Sequence, residues 1–406
     1  MKEVIIHAGL HKTGSTSIQR SLFFNQQILK RNGYQFLDVI KPDKRKLKNH
    51  SSVIINLFRD NPEEHYLNKK NNWIADEVGK FYEQQLKKSI SNLGGERLLI
   101  SGEGISSLNE DGLERLKDYF TDFNIRIIVF VRDPYEAINS WLAHVISRGG
   151  KKLVDDLHPE DKNFRVASRM IEKFKNVFAE SEFYSFDESL NEGGPVVKFF
   201  NILGINDLSN LEEYRDNNSI SNKLTRLGEY INNIEPLMIN NKPNPVRRYF
   251  RLRDLEFNND KFYLTKDEAA QFTEYLAEEN NKIKSLTGIE FTTEMKYSGD
   301  PRLTIEEVET IIQKSVGINV WMKVLVWEYI EANSDASINE KKRFFNTSDD
   351  LMDVDVLRDT AIMWEKKDPG RAYQFIKLAK LIRPDGVLIN EKFDEYRKKL
   401  KLSDTE

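Results

Sequence analysis

The sequence predicts an α/β protein, a mainly parallel central sheet flanked by helices and followed by a helical C-terminal domain. Three observations predict it. Short apolar runs rich in β-branched residues alternate with longer amphipathic stretches over roughly the first 290 residues. One run, IRIIVFV at 125–131, is apolar at nearly every position, as a strand covered on both faces must be. Beyond Gly299-Asp300-Pro301 the strand-like runs stop, and helical periodicity continues towards the C-terminus.

Taken in order, 4–6 reads as a short buried strand and 17–29 as a helix with Ile18, Leu22 and Ile28 on its apolar face. A second strand follows at 34–39. Residues 41–72 mix Lys41, Lys44, Arg45, Lys46 and Lys48 with Asn and Pro, and read as an excursion over a site or a solvated connection. A helix is expected over 73–91, a strand at 97–101 and a helix over 108–120. The strand 125–131 leads into a helix opened by Asp133-Pro134 and running to about 146, because proline is accepted at an early helical position. A short strand at 183–186 and a helix over 194–203, ended by Gly204, follow. Thr265 and Glu268 have capping-box spacing at the start of a long helix reaching about 286. Further helices are expected over 304–315, 320–332, 355–366 and 370–381. The expected division is therefore 1–294 for the α/β domain and 295–406 for the helical one, with a tetratricopeptide-like helix pair at 355–390.

A chain of 406 residues can bury a large core, and a formal net charge of -4 argues against general nucleic-acid binding. The absence of cysteine excludes disulfides, thiolate nucleophiles and cysteine metal sites. No apolar run is long enough to cross a bilayer, and no secretory leader precedes the first strand, so a cytoplasmic location is expected. No Asp/His set follows a metal-ligand spacing, and no metal is expected.

The stretch HAGLHKTGSTS at 7–17 lies between the first strand and the first helix. Gly9 and Gly14 bracket a turn whose backbone N–H groups, with the positive end of the helix, form an anion nest. Lys12 adds a mobile cation, and Thr13, Ser15, Thr16 and Ser17 add hydroxyl donors. A plain strand–helix turn would carry the same glycines. The NTPase loop is excluded, since Gly14 is followed by Ser15-Thr16 instead of Lys-Ser/Thr. After the central strand, Arg132 can clamp a second phosphate while Ser140 donates one more hydrogen bond. Otherwise Arg132 pairs with Asp133 or Asp122, and Ser140 is an ordinary helical residue.

Together these segments resemble the sulfotransferase family that uses 3'-phosphoadenosine-5'-phosphosulfate (PAPS). HAGLHKTGSTS is similar to that family's 5'-phosphosulfate loop, and FVRDPYEAINS at 130–140 to its 3'-phosphate segment. More narrowly, the chain looks like bacterial sulfotransferases that act on carbohydrates or glycolipids. Their opening pattern H-x-G-x-x-K-T-G-T-T-x-[IL]-Q is matched from His7 to Gln19, with Ser15 for threonine, and His11 stands where the wider family's loop has proline. The segment LISGEGIS at 99–106 resembles a strand end carrying an acidic residue, and Glu279-Asn280 lies in a segment like the group's closing helix.

The resemblance implies a P-loop-like sulfotransferase architecture. It also implies PAPS as co-substrate, held by His11, Lys12, Thr13, Gly14, Ser15, Thr16, Ser17, Arg132 and Ser140. Lys12 is the expected stabiliser of the leaving phosphate and Glu103 the candidate general base, with His7, His11 and His144 as rivals. The acceptor would be a hydroxyl of a carbohydrate or glycolipid. Basic stretches at 41–48, 148–152 and 247–253 are candidate substrate contacts or solvated surface. The helical C-terminal domain would serve dimerisation or a glycan-synthesis partner. Two other readings are a non-catalytic nucleotide-binding or scaffold protein and a nucleotide kinase.

Overall fold

The structure is a computed structural model describing residues 2–10, 12–94, 97–150, 166–215, 220–239, 242–244, 247, 250, 252–255, 260–291, 294–299, 302–315, 318–345 and 352–402. In chain order its first half holds β1 (Lys2–Ala8), α1 (Ser15–Phe24), α2 (Gln26–Arg31), β2 (Tyr34–Phe36), α3 (Ser51–Phe58), α4 (Tyr66–Asn71) and α5 (Ala75–Ser91). There follow β3 (Arg97–Gly102), α6 (Glu110–Tyr119), β4 (Phe123–Val131), α7 (Pro134–Ser147), α8 (Ala167–Val177), β5 (Ser181–Ser185), α9 (Phe186–Asn191) and α10 (Pro195–Ile202). Next come α11 (Asn222–Ile234), the hairpin β6 (Met238–Ile239) and β7 (Lys242–Pro243), α12 (Lys266–Ala270) and α13 (Thr273–Thr287). The chain continues with α14 (Ile305–Lys314), α15 (Val320–Asn333), α16 (Ile338–Phe345), α17 (Met352–Trp364), α18 (Pro369–Ile382) and α19 (Val387–Leu400).

Two compact units divide the chain. One comprises Met1–Trp141, His158–Asn218 and Ala269–Met295; the other comprises Leu142–Leu157, Ser219–Glu268 and Lys296–Glu406. The second unit thus takes 142–157 and 219–268 out of the span read above as a single 1–294 domain. The reason is burial. Helix α11 puts Leu224, Leu227 and Ile231 into the same core as Val308, Ile311 and Leu325.

In the first unit five parallel strands stand in the order β2-β3-β1-β4-β5. Central β1 pairs Val4 with Leu98 on one side and with Ile125 on the other. Its side chains alternate between faces, as the period of two requires. Val4, Ile6 and Ala8 join the core under α3, α5, α6 and α8, while Ile5 joins Ile18, Leu22 and Phe199 under α1 and α10. Both faces being covered, β1, β3 and β4 are apolar and buried over much of their length, which is why their sequence runs were so clear.

Three local expectations change. The helix expected over 17–29 is broken at Asn25, whose side-chain amide donates to the carbonyls of Ser21 and Glu212. The helix from Thr265 has its capping box, with Thr265 N donating to Glu268 Oε2 at 2.7 Å and Glu268 N to Thr265 Oγ1 at 3.2 Å. It breaks before Thr273, where Phe272 turns into the core with 1% of its surface exposed. Residues 41–72 contain α3 and α4, because Val53, Ile54 and Phe58 supply a helix with an apolar face to bury.

In the second unit α17 and α18 pack as a helix pair and α19 follows, so 355–390 covers these two helices and the start of a third. Trp327 is buried, whereas Trp321 and Trp364 flank the guanidinium of Arg371 at 4.1 and 4.5 Å. That arginine also reaches Glu235 at 2.9 Å, so the charge inside the helical core is paired. Among the described residues no helix is long and apolar enough to cross a membrane.

Candidate functional site

Three neighbouring parallel strands end at one edge of the sheet, and each is followed at once by a residue singled out from sequence. The loop with Lys12 follows β1, Glu103 follows β3 and Arg132 follows β4. Parallel strands feeding helices make this carboxyl edge the usual place for ligands in α/β folds.

The β1–α1 loop is a tight turn. Lys12 has φ of 65° and Gly14 of 72°, both left-handed, and α1 starts directly afterwards at Ser15. Gly14 is the N-cap residue and has no side chain to satisfy the first N–H groups of α1, which leaves the helix start suited to an anion. Not all the hydroxyls face outward. Thr13 Oγ1 donates to the Leu10 carbonyl at 2.7 Å and Ser15 Oγ to the same carbonyl at 3.3 Å, bracing the loop from within. Thr16 and Ser17 are half-buried, and Thr16 lines a wide cleft described below. His11 lies outside the described residues.

Glu103 opens a short 3-10 turn, Glu103–Ser107. Its flanking glycines make room for the start of α3. A Cβ at Gly102 would stand 2.9 Å from Ser51 N, and one at Gly104 2.9 Å from Ser51 Cβ. On the other side a Cβ at Gly9 would lie 3.3 Å from Glu103 Cγ, so the stem of this side chain rests against the β1 loop. Burial raises the Glu103 pKa above its ordinary value, and the charge of Lys12 partly offsets the rise. The side chain is half-buried and therefore still reachable.

The rival histidines are placed differently. His7 is fully buried beside Ser101 Oγ at 2.7 Å and the ring of Phe199 at 5.1 Å; burial pushes its pKa down to about 3. It is a neutral core residue. His50 is equally buried, accepting from Ser101 N at 3.0 Å and donating to the Leu37 carbonyl at 3.0 Å, with its pKa down at about 4 through burial. Its bonding ties β3 to the segment before α3, which sequence reasoning missed. His144 is exposed on α7.

Arg132 reaches the β1 loop directly: its Nη1 donates to the Lys12 carbonyl at 2.9 Å. Its partners are not the ones expected. Nη2 donates to Glu136 Oε2 at 3.3 Å, Nε lies 4.0 Å from Asp187 Oδ1, and the guanidinium covers the ring of Phe186 at 5.1 Å. Asp187 also accepts from Asp133 N at 2.7 Å, and Asp133 caps α7 by accepting from Glu136 N at 3.0 Å. Burial raises the Asp133 pKa, reinforced by the neighbouring acids. Among the described residues, Arg132 Nε is buried with no hydrogen-bond acceptor. The Glu136 pairing was legible as an i,i+4 spacing; Phe186 and Asp187 arrive from the end of β5 and were not.

Two cavities flank the loop. The smaller, of about 60 Å³, is lined by Lys12, Thr13, Arg132, Trp141, Tyr275 and Glu279 together with apolar residues of α7 and α8. Ser140, half-buried on α7, is not among its lining residues, so Arg132 and Ser140 do not meet there. Glu279 accepts from Ser168 N at 2.8 Å and Ser168 Oγ at 2.7 Å, fixing α13 to the start of α8. The larger cavity, of about 630 Å³, is lined by Glu103, Thr16 and Gln19 and by Lys41, Arg45, Lys46 and Lys48 of the basic stretch. Of the other basic stretches, 151–152 lie outside the described residues. In 247–253, Arg247 is buried, donating to Asn232 Oδ1 at 3.0 Å and the Glu235 carbonyl at 2.6 Å, and Phe250 is buried too, so these two serve the fold.

No family model matches the chain, and no curated protein does. Among solved structures it is similar to a sulfotransferase from Alicyclobacillus acidocaldarius, with a TM-score of 0.40 and 11% identity, covering 72% of this chain and 98% of that one.

Proposed function

We propose that the protein transfers a sulfonate group from PAPS to an acceptor hydroxyl of a carbohydrate or glycolipid. The observation that carries this reading is the bond from Arg132 Nη1 to the Lys12 carbonyl, with Glu103 packed on the other side of the same loop. An anion-binding turn, a guanidinium and a carboxyl of raised pKa are thereby gathered at one sheet edge. The motif resemblance described above supplies the nucleotide's identity.

The residues present fit such a nucleotide. Arg132 Nε is a buried donor lacking an acceptor, which a phosphate oxygen would supply, and the N–H groups at the start of α1 suit a second phosphate. PAPS brings an activated sulfonate on a phosphate leaving group. In this reading the loop N–H groups orient that group, Lys12 stabilises charge on the departing oxygen, and Glu103 accepts the acceptor's proton. A carboxyl whose pKa is raised holds that proton better than an ordinary glutamate. The small cavity at 60 Å³ is well below the roughly 300 Å³ of common ligand sites. Wall side chains such as Trp141 and Met170 must therefore give way for a nucleotide base.

A second reading, a nucleotide-binding or scaffold protein without turnover, is favoured by the carboxylates of Glu136 and Asp187 beside Arg132. They compete with any phosphate for the guanidinium. Calorimetry with adenosine 3',5'-bisphosphate against ATP, followed by transfer of radiolabelled sulfonate from PAPS to a glycan panel, tests these readings. Equal affinity for the two nucleotides, or preference for ATP, overturns sulfonate transfer and favours the kinase. Bisphosphate binding without transfer to any acceptor favours the scaffold reading.

A further inference from the structure

The large cavity has a chemistry that sulfonate transfer alone does not require. In a chain of formal charge -4, its wall carries Arg20, Lys41, Arg45, Lys46 and Lys48 against one carboxylate, Glu103. Like charges around one volume repel, and a neutral acceptor does nothing to relieve that repulsion. Two of the cations are held by partners an incoming anion can replace. Arg45 pairs with Asp43, and Lys46 with Asp38 at 3.1 Å, with every side chain at least 41% exposed. Pairs exposed to this degree hold weakly, because water and salt screen them. Arg20 and Lys48 lie over aromatic faces, 4.2 Å from the Tyr214 ring and 4.4 Å from the Phe24 ring, which positions the charges without neutralising them.

Two further features point to a ligand. Gln19 lines the cavity, is 2% exposed, and has a buried Nε2 with no hydrogen-bond partner among the described residues. Tyr66 lines the same cavity and is 66% exposed, an aromatic face of the kind that stacks on sugar rings. At about 630 Å³ the space is in the range of small-molecule sites.

We propose that this cavity is the acceptor subsite and that the acceptor is an acidic carbohydrate, a sugar hydroxyl with a carboxylate on the same or an adjacent residue. The inference rests on the sulfonate-transfer reading and names its substrate class. The cations meet the carboxylate, Gln19 donates to a sugar oxygen, and Glu103 takes the proton of the reacting hydroxyl. The acceptor oxygen forms the new O–S bond, the S–O bond to the phosphate breaks, and adenosine 3',5'-bisphosphate leaves with the electron pair.

The test compares a galacturonate tetramer with its carboxyl-reduced neutral counterpart. Binding is measured by calorimetry on the full chain saturated with adenosine 3',5'-bisphosphate, so that turnover is not needed. At least tenfold tighter binding of the acidic tetramer is expected, weakening with added salt. The triple variant Lys41→Ala, Arg45→Ala, Lys46→Ala should lose that preference while keeping its affinity for the bisphosphate. Equal binding of both tetramers, tighter binding of the neutral one, or a preference that survives the triple variant overturns the proposal. Failure of the bisphosphate itself to bind overturns the sulfonate-transfer reading, and the acidic and neutral tetramers are then compared on the protein alone.

Discussion

Gly9 offers a sharp probe of the site, because one methyl group there strikes both the β1 loop and Glu103. In Gly9→Ala the new Cβ would stand 2.3 Å from Ser15 Oγ, 2.8 Å from Ser15 Cβ and 3.3 Å from Glu103 Cγ. Non-bonded heavy atoms are comfortable at about 3.5–4.0 Å, so roughly 1 Å of separation must be found. Rotating Ser15 moves its Oγ away but leaves its Cβ in place, and the start of α1 has to shift. Overpacking of this kind costs about 1–3 kcal/mol. For a unit of this size the expected fall in Tm is about 2–12 °C. A displacement of about 1 Å at a positioning element also costs on the order of 100-fold in turnover. Scanning fluorimetry reads the first effect, and PAPS-dependent transfer reads the second. Adding Ser15→Gly to Gly9→Ala removes both Ser15 contacts, so a double-mutant cycle should show about 1 kcal/mol or more of favourable coupling. A Gly9→Ala protein with unchanged Tm and turnover would refute the packing of this loop against Ser15 at the start of α1.

Four other outcomes are expected. Lys12→Ala should lower turnover by about 100- to 1,000-fold with little change in Tm, since its amine serves charge stabilisation rather than packing. Glu103→Gln should lower turnover by about 100- to 10,000-fold, and the wild-type rate should fall as acidity increases through a point above the ordinary glutamate value. The raised pKa means that the fold disfavours the charged carboxylate, a cost present above the folded pKa and relieved below it. Glu103→Gln should therefore be at least as heat-stable as wild type at pH 7, read by fluorimetry. Glu279→Ala leaves the buried Ser168 N–H and hydroxyl without their carboxylate and should cost about 3 kcal/mol in urea unfolding. His7 and His50, with pKa values lowered from 6.5 to about 3 and about 4, bind protons in the unfolded chain but not in the fold. Stability should accordingly drop from about pH 6 to pH 4 by about 1 kcal/mol per pH unit for each, and replacing His50 by Gln should flatten that slope.

The strands and most helices of the α/β unit were legible because each is a short-range pattern. The apolar run at β4 and the proline opening α7 act within a few residues. The break at Asn25 was not, since the carbonyl that helps hold it belongs to Glu212. Helix α3 was hidden by basic residues upstream that mask its apolar face. The assignment of 219–268 to the helical unit was equally hidden, because the core that α11 enters is built from residues beyond 300.

At the candidate site the same division holds. Sequence alone determined that Lys12, Glu103 and Arg132 each follow a buried strand, because strand burial and turn chemistry are written locally. Only the tertiary structure decided that those strands are neighbours in the order β3-β1-β4, which sets Arg132 on the Lys12 carbonyl and Glu103 against Gly9. It alone brought Asp187 and Phe186 to Arg132, and gathered five cations around one cavity. Strand order depends on which apolar faces can be covered together, and that is a property of the whole packed unit rather than of any one stretch.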